Sequence, residues 1–267
     1  MADAAMMLHA IEAGHGDPPL VLLHGLFGSA RNFGTVQRAF AQHRRTIALD
    51  LRNHGASPHA DDMRYATMAA DTLRMLEHLG ALPALLLGHS MGGKTAMQAA
   101  LLRPDAVAHL VVADISPVPY PPHLRATAEA MVAMPLTPGM TRAQAETALA
   151  GSVPDAGVRA FLLQNLRLGA NPAWRIGIAE IVAGFADIQA WQASADARYA
   201  GPTLFIAGAT SNYIKPEHRP VIRALFPLAR FITLKHAGHW LHADNPAGFV
   251  AVVEAFLADR NRRQVQP

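Results

Sequence analysis

The chain contains no cysteine. That excludes disulfide bonds, a thiol nucleophile and cysteine-ligated zinc, and it imposes no redox requirement on the compartment. Charge is scarce as well: Asp, Glu, Lys and Arg make up 16% of the residues, and the net charge is +3. So small a basic excess does not build the cationic face that a nucleic-acid binder needs. The one dense basic cluster, Arg260, Arg262 and Arg263, reads as a solvated tail. Long apolar runs are missing too. Hydrophobic residues make up 51% of the chain, yet no uninterrupted stretch approaches the ~20 residues of a membrane span. The N-terminus lacks a basic segment leading into an apolar one, so no secretory leader is expected and a cytoplasmic location is. The oligomeric state is not legible.

What is present is an alternation. At 267 residues the chain suits one large domain, or one domain carrying an insertion. Short apolar runs at 8–13, 20–24, 45–49, 84–87, 110–113, 203–207 and 230–234 are separated by helical patterns. This argues for an α/β fold, a mostly parallel sheet flanked by helices. Asn245 and Pro246 mark the cap and first position of a final helix. The alternation breaks after Pro117, Pro119, Pro121 and Pro122, where helices are expected over 123–134, 142–150, 156–168 and 173–184 without a strand. Residues 117–190 therefore read as a helical cap or lid inserted into a core formed by 1–116 and 191–267.

Residues 88–95, Gly-His-Ser-Met-Gly-Gly-Lys-Thr, satisfy two catalytic patterns at once. From Gly88 to Gly92 they form G-x-S-x-G, a strand-to-helix turn that presents a nucleophilic serine, Ser90. From Gly88 to Thr95 they form G-x-x-x-x-G-K-T, a phosphate-binding loop. Both patterns place a Gly-rich turn before a helix whose unpaired N–H groups meet a negative charge. The phosphate reading has an apolar strand ending in Asp114, suited to magnesium. Two further turns favour the serine. His24-Gly25-Leu26-Phe27-Gly28 follows an apolar strand and suits an oxyanion loop, with the Leu26 N–H as donor beside that of Met91 and Phe27 as fallback. His236-Ala-Gly-His239-Trp-Leu-His242 follows the last strand. There His239, placed by Gly238, best fits a general base, and His236 and His242 read as structural or rim residues. The three histidines lack a further ligand at matched spacing, so no metal is expected. Asp50 and Arg52 read as supports for the His-Gly turn, and Lys94 is expected to face away from the chemistry. A non-catalytic receptor on the same scaffold would be marked by a lost nucleophile or base, and both are present.

With these motifs in order, the chain resembles an α/β-hydrolase over essentially its full length, and within that superfamily the YbfF-type serine esterases and their mitochondrial relatives. The segments that carry the resemblance are 24–29, 50–55, 88–97 and 237–243. It implies a cofactor-free hydrolase of small carboxylic esters, with acyl thioesters as a further class, a helical cap and a small-molecule ester as its partner. Carbon–carbon bond hydrolysis, peroxyacid formation and peptide cleavage on the same triad stay open. Most members carry the triad acid just after the strand that follows the cap. Here that turn, 207–213, holds no carboxylate, and Ser211 stands near the acid's place. Asp114, at the end of the strand after the nucleophile helix, takes the role, with Asp187, Asp196 and Asp244 as rivals. Pocket-lining candidates, chosen for their position near cap or sheet edges, are Phe27, Tyr120, Met134, Trp174, Phe185, Tyr213 and Trp240.

Overall fold

Seven short apolar runs become seven strands, and the inner five are apolar on both sides because both faces of the sheet are covered there. In the computed structural model, which describes residues 5–194 and 196–259, the strands are β1 (Ala10–Ala13), β2 (Leu20–Leu23), β3 (Thr46–Leu49), β4 (Ala84–His89), β5 (Val107–Ala113), β8 (Thr203–Gly208) and β9 (Ala229–Leu234). Two shorter ones, β6 (Leu166–Arg167) and β7 (Ala173–Trp174), pair only with each other. The cluster Arg260, Arg262 and Arg263 lies outside the described residues. The main sheet runs β1-β3-β2-β4-β5-β8-β9 and is parallel except at β1, which pairs antiparallel with β3.

Successive residues of β2 feed opposite layers. Leu20 and Leu22 join the layer filled by α1 (Gly34–Phe40) and α11 (Pro246–Ala258), through Phe33, Phe40, Phe249 and Val253. Val21 and Leu23 join the layer filled by α2 (Tyr65–His78) and α3 (Met91–Leu102). Helix α11 opens as its sequence indicates: Pro246 takes the first position, and Asn245 Oδ1 accepts from the Gly248 N–H at 3.0 Å. No helix among the described residues is long and apolar enough to cross a membrane.

Between β5 and β8 the chain forms α4 (Arg125–Ala133), α5 (Arg142–Ala150), α6 (Ala156–Leu162), α7 (Ile178–Ala183) and α8 (Phe185–Gln189). The segment departs from expectation in its middle. The helix expected over 156–168 stops at Leu162, and 173–184 opens as β7 before α7 begins. Gly169, with φ +121°, and the Asn171-Pro172 pair turn the chain back so that β6 and β7 form a short hairpin. Trp174 is therefore a strand residue, and its Nε1–H donates to the Met131 carbonyl at 2.9 Å.

Beneath the β3–α2 connection, Arg52 and Asp71 form a fully buried ion pair, Nε to Oδ2 2.7 Å and Nη2 to Oδ1 3.1 Å. Asp71 Oδ1 also accepts from the Met6 N–H. Removing one partner strands a charge in the core, which costs far more than the pair itself contributes. Asp71→Ala is expected to lower the unfolding free energy by about 3–5 kcal/mol in urea denaturation. A loss below about 1 kcal/mol would show the guanidinium to be satisfied without its carboxylate.

Candidate active site

Strand order decides where a site can form. After β2 the chain crosses to β3 on one side, then returns past β2 to β4 on the other. Between β2 and β4 the loops leave in opposite directions and open a crevice at the carboxyl edge of the sheet. Residues 24–28 follow β2 and Ser90 follows β4, so both motifs border this switch point.

Ser90 occupies a sharp turn with φ 53° and ψ −119°. A non-glycine residue held there costs about 1–3 kcal/mol and persists only where packing enforces it. The enforcement is visible at two glycines. A Cβ on Gly92 would lie 2.2 Å from the Leu23 carbonyl oxygen, and one on Gly88 would lie 2.1 Å from that of Gly92. The first turn of α3 thus sits directly on the end of β2. The N–H of Met91, the first residue of α3, precedes any intrahelical partner.

Asp114 ends β5 with φ 52°, its carboxylate fully buried. Oδ2 lies 2.8 Å from His239 Nδ1 and accepts from the Ser211 hydroxyl; Oδ1 accepts from the Gly208 N–H at 3.0 Å. Ser211 therefore supports the carboxylate from the 207–213 turn. Of the rivals, Asp244 accepts from the Gly238 N–H at 2.7 Å and braces the histidine loop, and Asp187 lies on α8, away from His239. Asp196 lies between α8 and β8 and likewise makes no contact with His239 among the described residues. The Tyr213 ring stacks on the His239 ring at 4.1 Å between centroids and 20° between planes. Ser90 and His239 line one cavity, and no hydrogen bond joins them among the described residues. Such contacts commonly tighten only when substrate binds.

The His-Gly loop is held by two buried imidazoles. His24 Nε2 accepts from the Leu51 N–H at 3.0 Å, which puts its proton on Nδ1, facing the Gly25 carbonyl at 2.8 Å. His54 repeats the pattern: Nε2 accepts from the Phe27 N–H at 3.1 Å and Nδ1 faces the Arg52 carbonyl at 2.8 Å. The Phe27 N–H is thereby committed, which removes it as the fallback oxyanion donor. The Leu26 N–H has no protein acceptor among the described residues. Asp50 supports the same loop, accepting from Ala30 N–H and Ala56 N–H. His89 Nε2 donates to the His239 carbonyl at 2.7 Å, and the His242 ring packs against that of His89. His236 is exposed, with φ 56°.

Two cavities meet at Ser90. The larger, about 230 Å³, is walled by Thr127, Val158, Phe161, Leu162, His239 and Trp240. The smaller, about 50 Å³, is walled by Tyr65, Met91, Lys94, Ile115, Tyr120 and Phe185. Leu26, His123, Leu124 and Tyr213 border both. Among the sequence candidates, Phe27, Tyr120, Phe185, Tyr213 and Trp240 line one cavity or the other. Met134 and Trp174 line neither: Met134 is packed in the core, and Trp174 braces α4 from the hairpin. The wall residues of α6 escaped the sequence reading, although Val158, Phe161 and Leu162 recur at helical spacing. Lys94 also departs from expectation. It does not face away from Ser90 but rises, one helical turn on, beside the smaller cavity. There its Nζ donates to the carbonyls of Ala190 at 2.8 Å and Gln189 at 3.3 Å. An ammonium engaged with carbonyls is not a phosphate clamp.

The family described as alpha/beta hydrolase fold matches residues 18–246. The chain is an α/β-hydrolase. It is 35% identical over 254 residues to Esterase YbfF of Escherichia coli, covering 92% of this chain and 95% of that one. It is 43% identical over 250 residues to the sn-1-specific diacylglycerol lipase ABHD11 of Mus musculus, covering 90% and 81%. A solved structure titled "Marine microorganism esterase" superposes with a TM-score of 0.90 at 34% identity, covering 94% and 99%. The chain thus belongs to the YbfF-type branch of its family and is a carboxylic-ester hydrolase.

Four buried histidines of this hydrolase carry an acid liability. Burial holds His24 and His89 below the ordinary imidazole range, and lowers His54 to about 3 and His242 to about 4. Neighbouring imidazoles add to the effect at His54, His89 and His242. In the unfolded chain each titrates near the usual ~6.5. Below that pH the unfolded state holds more protons, so the histidines' contribution is full above about 6.5 and falls as pH drops through the window down to the folded values. Each histidine contributes up to about 1.4 kcal/mol per pH unit within its window. Urea midpoints are expected to decline steadily as pH falls from 6.5 to 4.5. A flat profile across 6.5–4.5 would mean that these rings take up protons without disturbing the fold.

Proposed function

We propose that the hydrolase cleaves small carboxylic esters, and acyl thioesters by the same chemistry, through a covalent acyl-enzyme formed on Ser90. The observation that carries this reading is the 2.8 Å contact between the buried Asp114 carboxylate and His239 Nδ1. A carboxylate acceptor there keeps the imidazole proton on Nδ1 and leaves Nε2 free to act as base toward the cavity that Ser90 lines. Ser90 Oγ attacks the carbonyl carbon as His239 takes its proton. The tetrahedral oxyanion lies between the N–H groups of Met91 and Leu26. His239 then returns the proton to the leaving alkoxide, and Asp114 stabilises the imidazolium meanwhile. Water, activated by the same imidazole, attacks the acyl-enzyme and releases the acid. Residues 117–190 act as the cap, whose apolar side chains exclude water from the ester. The relatives named esterase and lipase support the reaction class.

Ser90→Ala is expected to lose on the order of 10⁶ in turnover of an activated ester, and a fluorophosphonate is expected to label Ser90 alone. Label on another residue of the wild type would place the nucleophile elsewhere.

The choice of acid makes a sharper test. Asp114→Asn donates where the imidazole needs an acceptor and is expected to cost roughly 10⁴ in kcat with the fold intact. Ser211→Ala removes one hydrogen bond to a carboxylate, worth about 1.5–3 kcal/mol, so its loss should not exceed about a hundredfold. The reverse ranking, measured by steady-state kinetics on folded variants, would assign the decisive contact to the 207–213 turn.

A further inference from the structure

The residue immediately before Ser90 is itself a histidine, and the reaction as derived gives it no part. His89 is the last residue of β4 and is 3% exposed. By strand alternation its side chain follows Leu85 and Leu87 onto the face covered by α1 and α11. Two loops rest against its ring. A Cβ on Gly25 would lie 3.0 Å from His89 Nδ1, so the His-Gly loop passes directly over the imidazole. The rings of His239 and His242 stand 4.7 Å and 4.9 Å away between centroids.

Burial and the neighbouring imidazoles hold His89 well below the ordinary imidazole range, so the ring is neutral and carries one proton. A carbonyl only accepts, and the 2.7 Å contact with the His239 carbonyl therefore places that proton on Nε2. The other main-chain hydrogen bonds of residues 237–240 go to Thr210, or to Ala243 and Asp244 just downstream. Among the described residues, His89 is thus the one hydrogen-bonded link from β4 to the loop that carries His239. Asp114 grips the His239 side chain from β5, and His89 grips its main chain from the residue next to Ser90. The separation of His239 from Ser90 is set across one peptide unit and one short hydrogen bond.

We infer that His89 is a positioning residue for the ester reaction, whose Nε2–H holds the main chain of His239 so that its imidazole reaches Ser90 Oγ. The inference rests on the reading of Ser90 as nucleophile and His239 as base. The contact bears on proton transfer and not on the apolar walls that hold the ester, so its loss falls on kcat rather than KM. A base misplaced by about 1 Å costs on the order of a hundredfold.

His89→Phe keeps a flat ring beneath Gly25 and removes the donor. With an activated ester it is expected to lose about a hundredfold in kcat while KM changes less than about threefold. His89→Gln brings an amide N–H near the place of Nε2 and is expected to recover about tenfold of that loss. In the His239→Ala background no base remains to be placed, and adding His89→Phe is expected to change the residual turnover less than about threefold. Because the position is buried, a wild-type measurement stands beside the variants: long-range ¹⁵N–¹H spectra at pH 7 are expected to show His89 neutral, with its proton on Nε2. An Nδ1–H tautomer there, or a kcat loss below about fivefold in folded His89→Phe, overturns the role of His89 and leaves the serine mechanism standing. His89→Gln no faster than His89→Phe does the same, as does a full further loss in the His239→Ala background, which marks a general disturbance of the turn. Wild-type turnover in His239→Ala or Ser90→Ala overturns instead the reading on which the inference rests.

Discussion

The fold of the site depends on one close approach, that of the first turn of α3 to the end of β2. Gly92 lies so near the Leu23 and His24 carbonyl oxygens that no side chain fits between them. This contact fixes the unusual backbone of Ser90, brings the amides of Met91 and Leu26 to the same crevice, and sets the height of Lys94 above the sheet. The proposed ester chemistry then needs little from the distant parts of the sheet beyond β5 and β9, which deliver Asp114 and the His239 loop. Strain at Ser90 is held by packing on both sides of the turn rather than by a hydrogen bond to its side chain.

Around that contact the protein uses neutral imidazoles as structural connectors. A neutral histidine can accept with one nitrogen and donate with the other, so it joins a backbone N–H to a backbone carbonyl across a gap no hydroxyl spans. His24 and His54 do this under the His-Gly loop, and His89 ties β4 to the His239 loop. The arrangement orders three loops with few charges, in keeping with a chain in which charged residues are scarce. It also couples loop order to proton uptake.

Much of the fold is legible in the sequence because the strands buried on both faces are uninterrupted apolar runs, and because Gly, Pro and Asn mark their ends. The cap hairpin is not, since two strands of two residues each have no periodicity to detect. Strand-end position makes Ser90, His239 and Asp114 candidates, and the structure brings Asp114 to His239, yet the contacts of Ser211 and Tyr213 with that pair depend on how the 207–213 turn folds back. The outward assignment of Lys94 ignores that it stands four residues after Ser90, where a helix returns to the same face. Met134 and Trp174 are near the pocket in sequence only: the depth at which each element of the 117–190 segment docks, which no local pattern encodes, keeps them out of both cavities.

The segment between β5 and β8 returns to the sheet through three successive main-chain carbonyls: Tyr65 holds that of Ile188, and Lys94 holds those of Gln189 and Ala190. Tyr120 adds its own amide to the Gln189 carbonyl. Attachments that read the backbone are indifferent to side-chain identity at the anchored positions. The return end of this segment is therefore seated by its backbone. Helices α4 to α7 can diverge while residues 188–190 still seat in the same register above Ser90. Diversification of substrate range on this scaffold is thus decoupled from the geometry that performs the reaction.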